Sequence, residues 1–361
     1  MRSAIKSDRR LFALRLALIL TSIIPIAVAL PARADDSAGK PGDGVPADSG
    51  RFTVVEENDY FFFPTDRHYT QGTRLSYLTG EVRPDDISAP LFTWFDRFLF
   101  EDQGAISRHV DWSIGQSIFT PTNLVAVHPD PRDRPYAGWS YVQAGLVQSA
   151  NRNRLDDLEL QVGVVGPAAL ASQAQNDWHE YFMHEAASQG WDSQLKNEPG
   201  VDLTYQRKWR YDALGDGEGL GADFVPDAGG ALGNVLTYAN AGAMVRLGAN
   251  LAADYGPPRV LPAPSGGDYF DSSITSLGGY VFATAEGRAV GRNIFLQGNS
   301  FTASPSVTAN PAVGDFVYGG TLFWGPWLRA TVSLDTRTKE FVGQQGVDRF
   351  TSLSISANIP W

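Results

Sequence analysis

The sequence predicts an all-β chain closed into a transmembrane antiparallel β-barrel of about twelve strands, with a short helix in a loop at one rim. Three observations predict it. The dominant period is two: at the C-terminus Leu353, Ile355, Ala357, Ile359 and Trp361 alternate with Ser352, Ser354, Ser356, Asn358 and Pro360, so one face is apolar and the other polar. Most alternating runs last about ten residues or more, where soluble strands average about five or six. Aromatic residues are abundant, with 20 Phe, 13 Tyr and 9 Trp, and many stand near the ends of runs, as an interfacial girdle requires. A soluble sandwich would alternate too, with its apolar faces inward; run length and aromatic placement favour the inverted arrangement, apolar toward lipid.

The first 34 residues read as a cleaved signal peptide. Arg2, Lys6, Arg9 and Arg10 form a charged start, residues 11–30 are mostly apolar with one charge at Arg15, and "ARA" ends at Ala34, a small-residue cleavage site. Losing six Lys/Arg and one Asp takes the net charge from −11 to −16. Nothing resembles a basic stripe, which excludes nucleic acid as a partner. No later segment offers the ~18 unbroken apolar residues of a spanning helix. The chain has no cysteine, in keeping with export through an oxidising envelope. Residues 35–50, "DDSAGKPGDGVPADSG", form a solvated, flexible lead-in, and the barrel occupies 51–361.

Strands are expected at 51–57, 70–80, 109–120, 136–149, 156–166, 200–212, 219–227, 233–248, 277–291, 313–323, 326–337 and 350–361. Leu158, Leu160, Val162 and Val164 carry the fifth. Leu203, Tyr205, Trp209 and Tyr211 carry the sixth, with Arg207 the exception on its apolar face. Leu328, Ala330, Val332 and Leu334 carry the eleventh. The seventh has the weakest pattern. An even number lets both ends of the closed sheet lie on the periplasmic side, so loops 58–68, 121–135 and 167–199 share the outer rim. Connections 81–108 and 250–276, on the other side, are longer than turns there should be.

The three outer loops carry the chemistry. In 167–199, residues 168–187 have few helix breakers and apolar positions at Trp178, Phe182 and Met183, which predicts a helix capping the rim. His179 lies on it with Glu185 six residues on, roughly 240° around a straight helix, so the two pair only if the helix ends or bends between them. A histidine oriented by a carboxylate is the ordinary general base for activating water; the plainer alternative is a surface helix with two solvated histidines, His179 and His184. In "ENDYFFFPTDRHYTQG", Asn58, Asp59, Asp66 and Thr70 offer the hard oxygen donors that calcium takes, although Asn, Asp and Thr also make turns. His68, His109 and His128 are expected as surface histidines. The chain has no Gly-x-Ser-x-Gly elbow, no His-Glu-x-x-His and no P-loop.

The succession "ENDYFFFPTDRHYTQGTRLSY", "GQSIFTPTNL", "DRPYAGWSYVQAGL", "VGVVGPAALASQAQNDWHEYF", "GWDSQLKNEPGVDLTYQRKWR", "GRNIFLQGNSF" and the closing alternating strand resembles the outer-membrane lipid A 3'-O-deacylases of Gram-negative bacteria. The terminal aromatic resembles the ending of outer-membrane barrels, which implies delivery by the barrel-assembly machinery. The resemblance implies calcium-dependent hydrolysis of the 3'-linked acyl or acyloxyacyl groups of lipid A in the outer leaflet, at a site between barrel and lipid on the extracellular side. By position, His179 matches the family's histidine base and Glu185 its acidic neighbour. Asn58 and Asp59 match its Asn-Asp pair, with Asp59 the better calcium ligand. Thr70 matches the threonine of its Tyr-Thr-x-Gly motif, and Asp66 stands where the family often has an aspartate. A family lysine after strand three has no counterpart in 122–131; Arg132 or Arg134 is the expected replacement, reaching a lipid A phosphate. The rival expectations are an outer-membrane phospholipase or esterase and a non-catalytic barrel of the same fold.

Overall fold

The computed structural model describes residues 50–63, 65–100, 104–183, 186–215, 219–260, 267–271 and 276–359. The expected signal peptide lies outside the described residues, as does the lead-in apart from Gly50, which opens the first strand. Twelve antiparallel strands form one ring: β1 (Gly50–Asn58), β2 (His68–Leu78), β3 (Ile106–Thr120), β4 (Ala137–Ala150), β5 (Arg154–Val165), β6 (Glu198–Trp209, resumed as Tyr211–Leu214), β7 (Leu220–Gly233), β8 (Leu236–Ala249), β9 (Leu277–Asn293), β10 (Ala312–Trp324), β11 (Leu328–Arg337) and β12 (Asp348–Ile359). Each pairs with its chain neighbours, and β1 pairs with β12 from Gly50↔Ile359 to Asn58↔Thr351, which closes the sheet. Both chain ends therefore lie at one rim, here the terminal rim.

The seventh strand runs well past its expected end. Gly229 and Gly230 interrupt the side-chain alternation there, while the main-chain ladder to β6 and β8 continues through them. Hydrogen bonding sets this strand where apolar patterning is silent.

Along β1, Arg51, Thr53, Val55 and Glu57 are buried and point inward, while Phe52 and Val54 point outward. The same division around the ring gives an outer wall of exposed Leu75, Trp112, Ile114, Val142, Leu160, Val245, Leu247, Val281, Phe316 and Leu322. A barrel that turns its apolar side chains to lipid must turn its polar ones inward, and there many of the charges are paired. Arg246 lies 2.5 Å from Asp223 and 2.6 Å from Asp254, and Arg288 and Arg337 share Asp315 at 2.6 and 2.7 Å.

The long connection between β8 and β9 supplies much of this pairing. Its Asp254 also meets Arg329 of β11 at 3.0 Å and the Tyr280 hydroxyl of β9, Tyr255 meets Ser149 of β4, and Asp268 meets Arg74 of β2. Arg259 lies 2.7 Å from Glu57 of β1 and 2.8 Å from Asp335 of β11. A segment that touches strands all round the ring can only lie within it. The connection is long because it is a plug, and its length does not count against the strand register. At the other rim the lumen ends in an apolar cluster that includes Tyr69, Phe119, Trp139, Leu195, Val235, Ile294 and Phe350, with Phe119 and Phe295 stacked at 4.1 Å.

The second long connection, between β2 and β3, folds outward. Its helix α1 (Ala89–Phe95) lays Phe92 on the outward residues Val110, Leu146 and Leu158, which the ladders hold in one row across β3, β4 and β5.

Arg259→Ala would leave Glu57 and Asp335 buried without their counter-charge, a loss of about 3–5 kcal/mol. The thermal midpoint in detergent should fall clearly below that of the parent, and an unchanged midpoint would show that this pair does not hold the plug.

Candidate active site

The strand register arranges the outer wall of β1–β5 in rows. Nearest the rim opposite the chain ends stand Asn58, Gln71, Ile118 and Gly138. Below them come Glu56, Thr73, Gln116 and Ser140, then Val54, Leu75, Ile114, Val142 and Val162, then Phe52, Tyr77, Trp112, Ala144 and Leu160. Two polar rows thus lie above two apolar ones. The polar row is knit together: Glu56 accepts from Gln71 at 2.9 Å and from Thr73 at 2.6 Å. The apolar rows form a shallow groove of about 390 Å³ that includes Leu75, Ile114, Val142, Leu160 and Val162, with Phe52, Tyr77 and Trp112 at its far end.

A helix lies over the upper rows. After β5 a 3-10 turn (Pro167–Ala169) leads to Leu170 in the left-handed region, φ +58°, and then to α2 (Ala171–Trp178). The Ala169 carbonyl accepts from Gln116 at 2.6 Å and from Ser140 at 2.8 Å. Gly138 is required beneath, because a Cβ there would come 2.4 Å from that of Ala171. Ile118, Tyr136, Ala171 and Trp191 pack between helix and wall. The α-helical register then gives way to one π turn, His179–Met183, a feature common at functional sites.

His179 is buried at this change of register. Its Nε2 lies 2.7 Å from Asp66 Oδ2, and its Nδ1 is 3.3 Å from the Ala186 carbonyl. Glu185, expected to hold this ring, lies outside the described residues, as does His184. Asp66 also accepts from Gln175 Nε2 at 3.4 Å, and Gln175 Oε1 accepts from the Trp191 indole at 2.9 Å. Gln175, one helical turn before His179 and so on the same face, was not singled out in the sequence, although that spacing could have found it.

The loop after β1 brings its own acids to the same place. Asn58 Oδ1 accepts from Tyr60 N at 2.8 Å and turns the chain. Asp59 Oδ2 accepts from Arg67 N at 2.7 Å, whereas its buried Oδ1 has no hydrogen-bond partner. Burial pushes the Asp59 carboxyl well above the usual carboxylate range, and the charge of Asp66 pushes the same way, against the Arg67 N–H. Thr70 sits where β2 bulges between Tyr69 and Gln71, its hydroxyl 2.7 Å from that of Thr120.

The remaining expectations divide. Arg132 is exposed and held by Asp130 at 2.7 Å. Arg134 is fully buried, 3.1 Å from Glu340 and 4.8 Å over the Phe119 ring; its expected role at a lipid phosphate is corrected, because the side chain has no exposed surface with which to meet one. His68 is likewise no surface histidine. It opens β2 at φ +67°, and its ring is buried with Nδ1 2.6 Å from Asp348 and Nε2 3.4 Å from Asp133. Burial alone would raise the Asp133 carboxyl, but hydrogen bonds from His68 and the Thr122 N–H hold it well below the usual range. His109 is half-buried against Ser107 and the Thr79 carbonyl, and His128 is exposed.

A closed twelve-stranded barrel, apolar outside and filled inside, with polar groups gathered under a helix on its lipid-facing wall, defines an outer-membrane barrel whose site faces the lipid rather than the lumen. The family described as "Outer membrane protein LpxR" matches residues 16–359. The chain belongs to that family, the outer-membrane lipid A 3'-O-deacylases. Among solved structures it is similar to LpxR from Salmonella typhimurium, with 21% identity and a TM-score of 0.69, covering 86% of this chain and 100% of that one. The β domain of the Bordetella autotransporter BrkA follows at 6% identity and a TM-score of 0.38, covering 88% of this chain and all of that one. No curated protein matches.

Because the folded-state pKa of Asp59 is raised, its contribution to stability is complete below the unfolded value and is lost as pH rises. Asp59→Asn should therefore unfold at a higher temperature than the parent in chelator at pH 8, with the gain disappearing toward pH 4. A gain independent of pH would show that ionisation of Asp59 is not the cause.

Proposed function

We propose that the protein is a calcium-dependent hydrolase that removes 3'-linked acyl or acyloxyacyl groups from lipid A in the outer leaflet. The observation that carries this reading is the placing of His179, Asp66 and the unpartnered oxygen of Asp59 together on the outer wall, above a polar row and an apolar groove. An ester embedded at the edge of a lipid layer can approach such a site without leaving the layer. The site rim is read as extracellular because both chain ends lie at the other, as in outer-membrane barrels.

The residues present fit calcium. A buried carboxylate oxygen without a partner, next to a second carboxylate, is a donor set that a hard cation relieves, and Asp59 with Asp66 would hold it. Among the described residues no group of three or more His, Cys, Asp or Glu gathers, so main-chain, hydroxyl, amide and water oxygens would complete the shell, as calcium commonly allows. Bound there, the ion would polarise the ester carbonyl and stabilise negative charge on its oxygen.

The protein's own groups divide the remaining work. Asp66 holds the Nε2 proton of His179 and fixes the ring, and Nδ1 would exchange its 3.3 Å contact with the Ala186 carbonyl for the attacking water, taking a proton from it and returning it to the departing sugar oxygen. Gln175, itself held by the Trp191 indole, holds Asp66 from behind. Asn58, whose carbonyl oxygen is engaged by Tyr60, keeps its amide N–H groups for the ester. The groove beneath receives the acyl chain, and its aromatic end limits the chain length.

The deciding experiment is mass spectrometry of lipid A from cells with and without the protein. Loss of a 3'-linked group is expected, whereas unchanged lipid A beside altered phospholipids would favour a phospholipase. His179→Asn should lower turnover by roughly two orders of magnitude or more while the barrel still assembles, and EGTA should stop the reaction reversibly. Val142→Trp, which fills the groove, should shift the released acyl groups toward shorter chains; an unchanged chain profile would place the acyl group elsewhere.

A further inference from the structure

The terminal rim carries a second cover on the outer wall. One row below Val110, Leu146 and Leu158, the register sets Arg108, Gln148, Asp156 and Arg207 side by side. These polar groups face away from the lumen, and the connection between β2 and β3 is strapped over them. Asp96 takes the Arg108 guanidinium at 2.7 and 2.9 Å, Gln148 accepts from Arg108 Nε at 2.8 Å, and Arg207 donates to the Leu99 carbonyl. Asp156 receives Arg207 at 2.6 Å and Arg154 at 3.0 Å.

Between this strap and the wall opens a cleft of about 540 Å³. Arg83, Arg97 and Arg108 line it together with Pro90, Thr93 and Trp94, and among the described residues that line it none is acidic. Two carboxylates of the same connection are engaged, Asp96 by Arg108 and Asp86 by the Arg83 main-chain N–H at 2.6 Å. Beside the cleft, α1 and the turns flanking it expose Ile87, Leu91, Trp94 and Phe98, with Trp94 packed edge-on to Phe95 and Phe98. The exposed Arg83 and Arg97, with the Asp96-bound Arg108 beside them, stand next to exposed aromatic and aliphatic side chains on the lipid-facing wall and level with a rim, and together they match the two halves of one kind of molecule.

The geometry points to a phospholipid site: the cleft binds the phosphate of an anionic phospholipid from the leaflet bordering the terminal rim. Guanidinium groups suit phosphate oxygens, and Trp and Arg are the side chains that anchor protein at a lipid–water boundary. A free phosphate would use the arginines but would leave Leu91 and Phe98 without a role. The site is separate from the groups around His179. Its row lies three below the apolar row of Ile114 and Val142, at the opposite end of the same strands.

The test is native mass spectrometry of the delipidated full-length barrel in detergent with phosphatidylglycerol, phosphatidylcholine or diacylglycerol added. Phosphatidylglycerol should be retained at one per barrel, in clear preference to the other two, and millimolar inorganic phosphate should not displace it. The double variant Arg83→Ala/Arg97→Ala, which removes two exposed side chains and leaves the Arg108–Asp96 pair, should lower retention about tenfold, and Trp94→Ala should lower it as well. Unaltered heat-modifiability on gels would show that the variants still form barrels. Equal retention by parent and double variant, or equal retention of diacylglycerol, would overturn the assignment. Displacement by inorganic phosphate would overturn it in favour of a free-ion site.

Discussion

The structure depends on one constraint: in lipid, every main-chain N–H and C=O of a spanning strand needs a partner, and only a closed ring supplies them all. Closure between β1 and β12 fixes the even strand count and puts both ends at one rim. It also fixes which side chains face lipid, and from that follows a polar interior. Charges turned inward cannot stand alone in so confined a space, so many are matched in ion pairs and others are held by amides, hydroxyls and carbonyls, and the β8–β9 connection returns into the ring to add Asp254, Arg259 and Asp268 to the matching. The filled lumen leaves the outer wall as the surface where chemistry can meet a lipid.

On that wall the strand register does the positioning. Because antiparallel ladders set outward residues side by side, polar groups from β1 to β4 align at one height and the groove residues at the next two. The helix that bears His179 is seated on these rows by a glycine, an alanine and two hydrogen bonds to a single carbonyl. The loop after β1 reaches the same place from the other side, and Asp66 joins the two parts of the site.

Much of this was legible in the sequence, and the reasons differ from element to element. Strands such as β5, β11 and β12 show in their alternation because lipid on one side and ion pairs on the other select opposite residue types. The end of β7 did not show, since glycines carry no pattern and the ladder alone sets it. The partners of the site were harder to read than its members. His179, Asp59 and Asp66 stood out as residue types, but the pairing of His179 with Asp66, 113 positions apart in sequence, is a fact of the fold. Arg134 and His68 misled for the opposite reason. Both fall in stretches expected as loops, where exposure is the ordinary expectation, yet both turn inward to acids supplied by the β11–β12 connection and the start of β12.

The plug bears on what holds the cylinder closed. Arg259 reaches from the middle of the chain to β1 on one side and to β11 on the other, so it bridges the seam where the first and last strands meet. The far end of the cylinder is stoppered by stacked aromatic rings, and this segment enters from the terminal rim, where it leaves β8 and rejoins the sheet at β9. The peg thus fastens the junction of the two edge strands from within, and the segment that fills the vessel also helps to keep it shut.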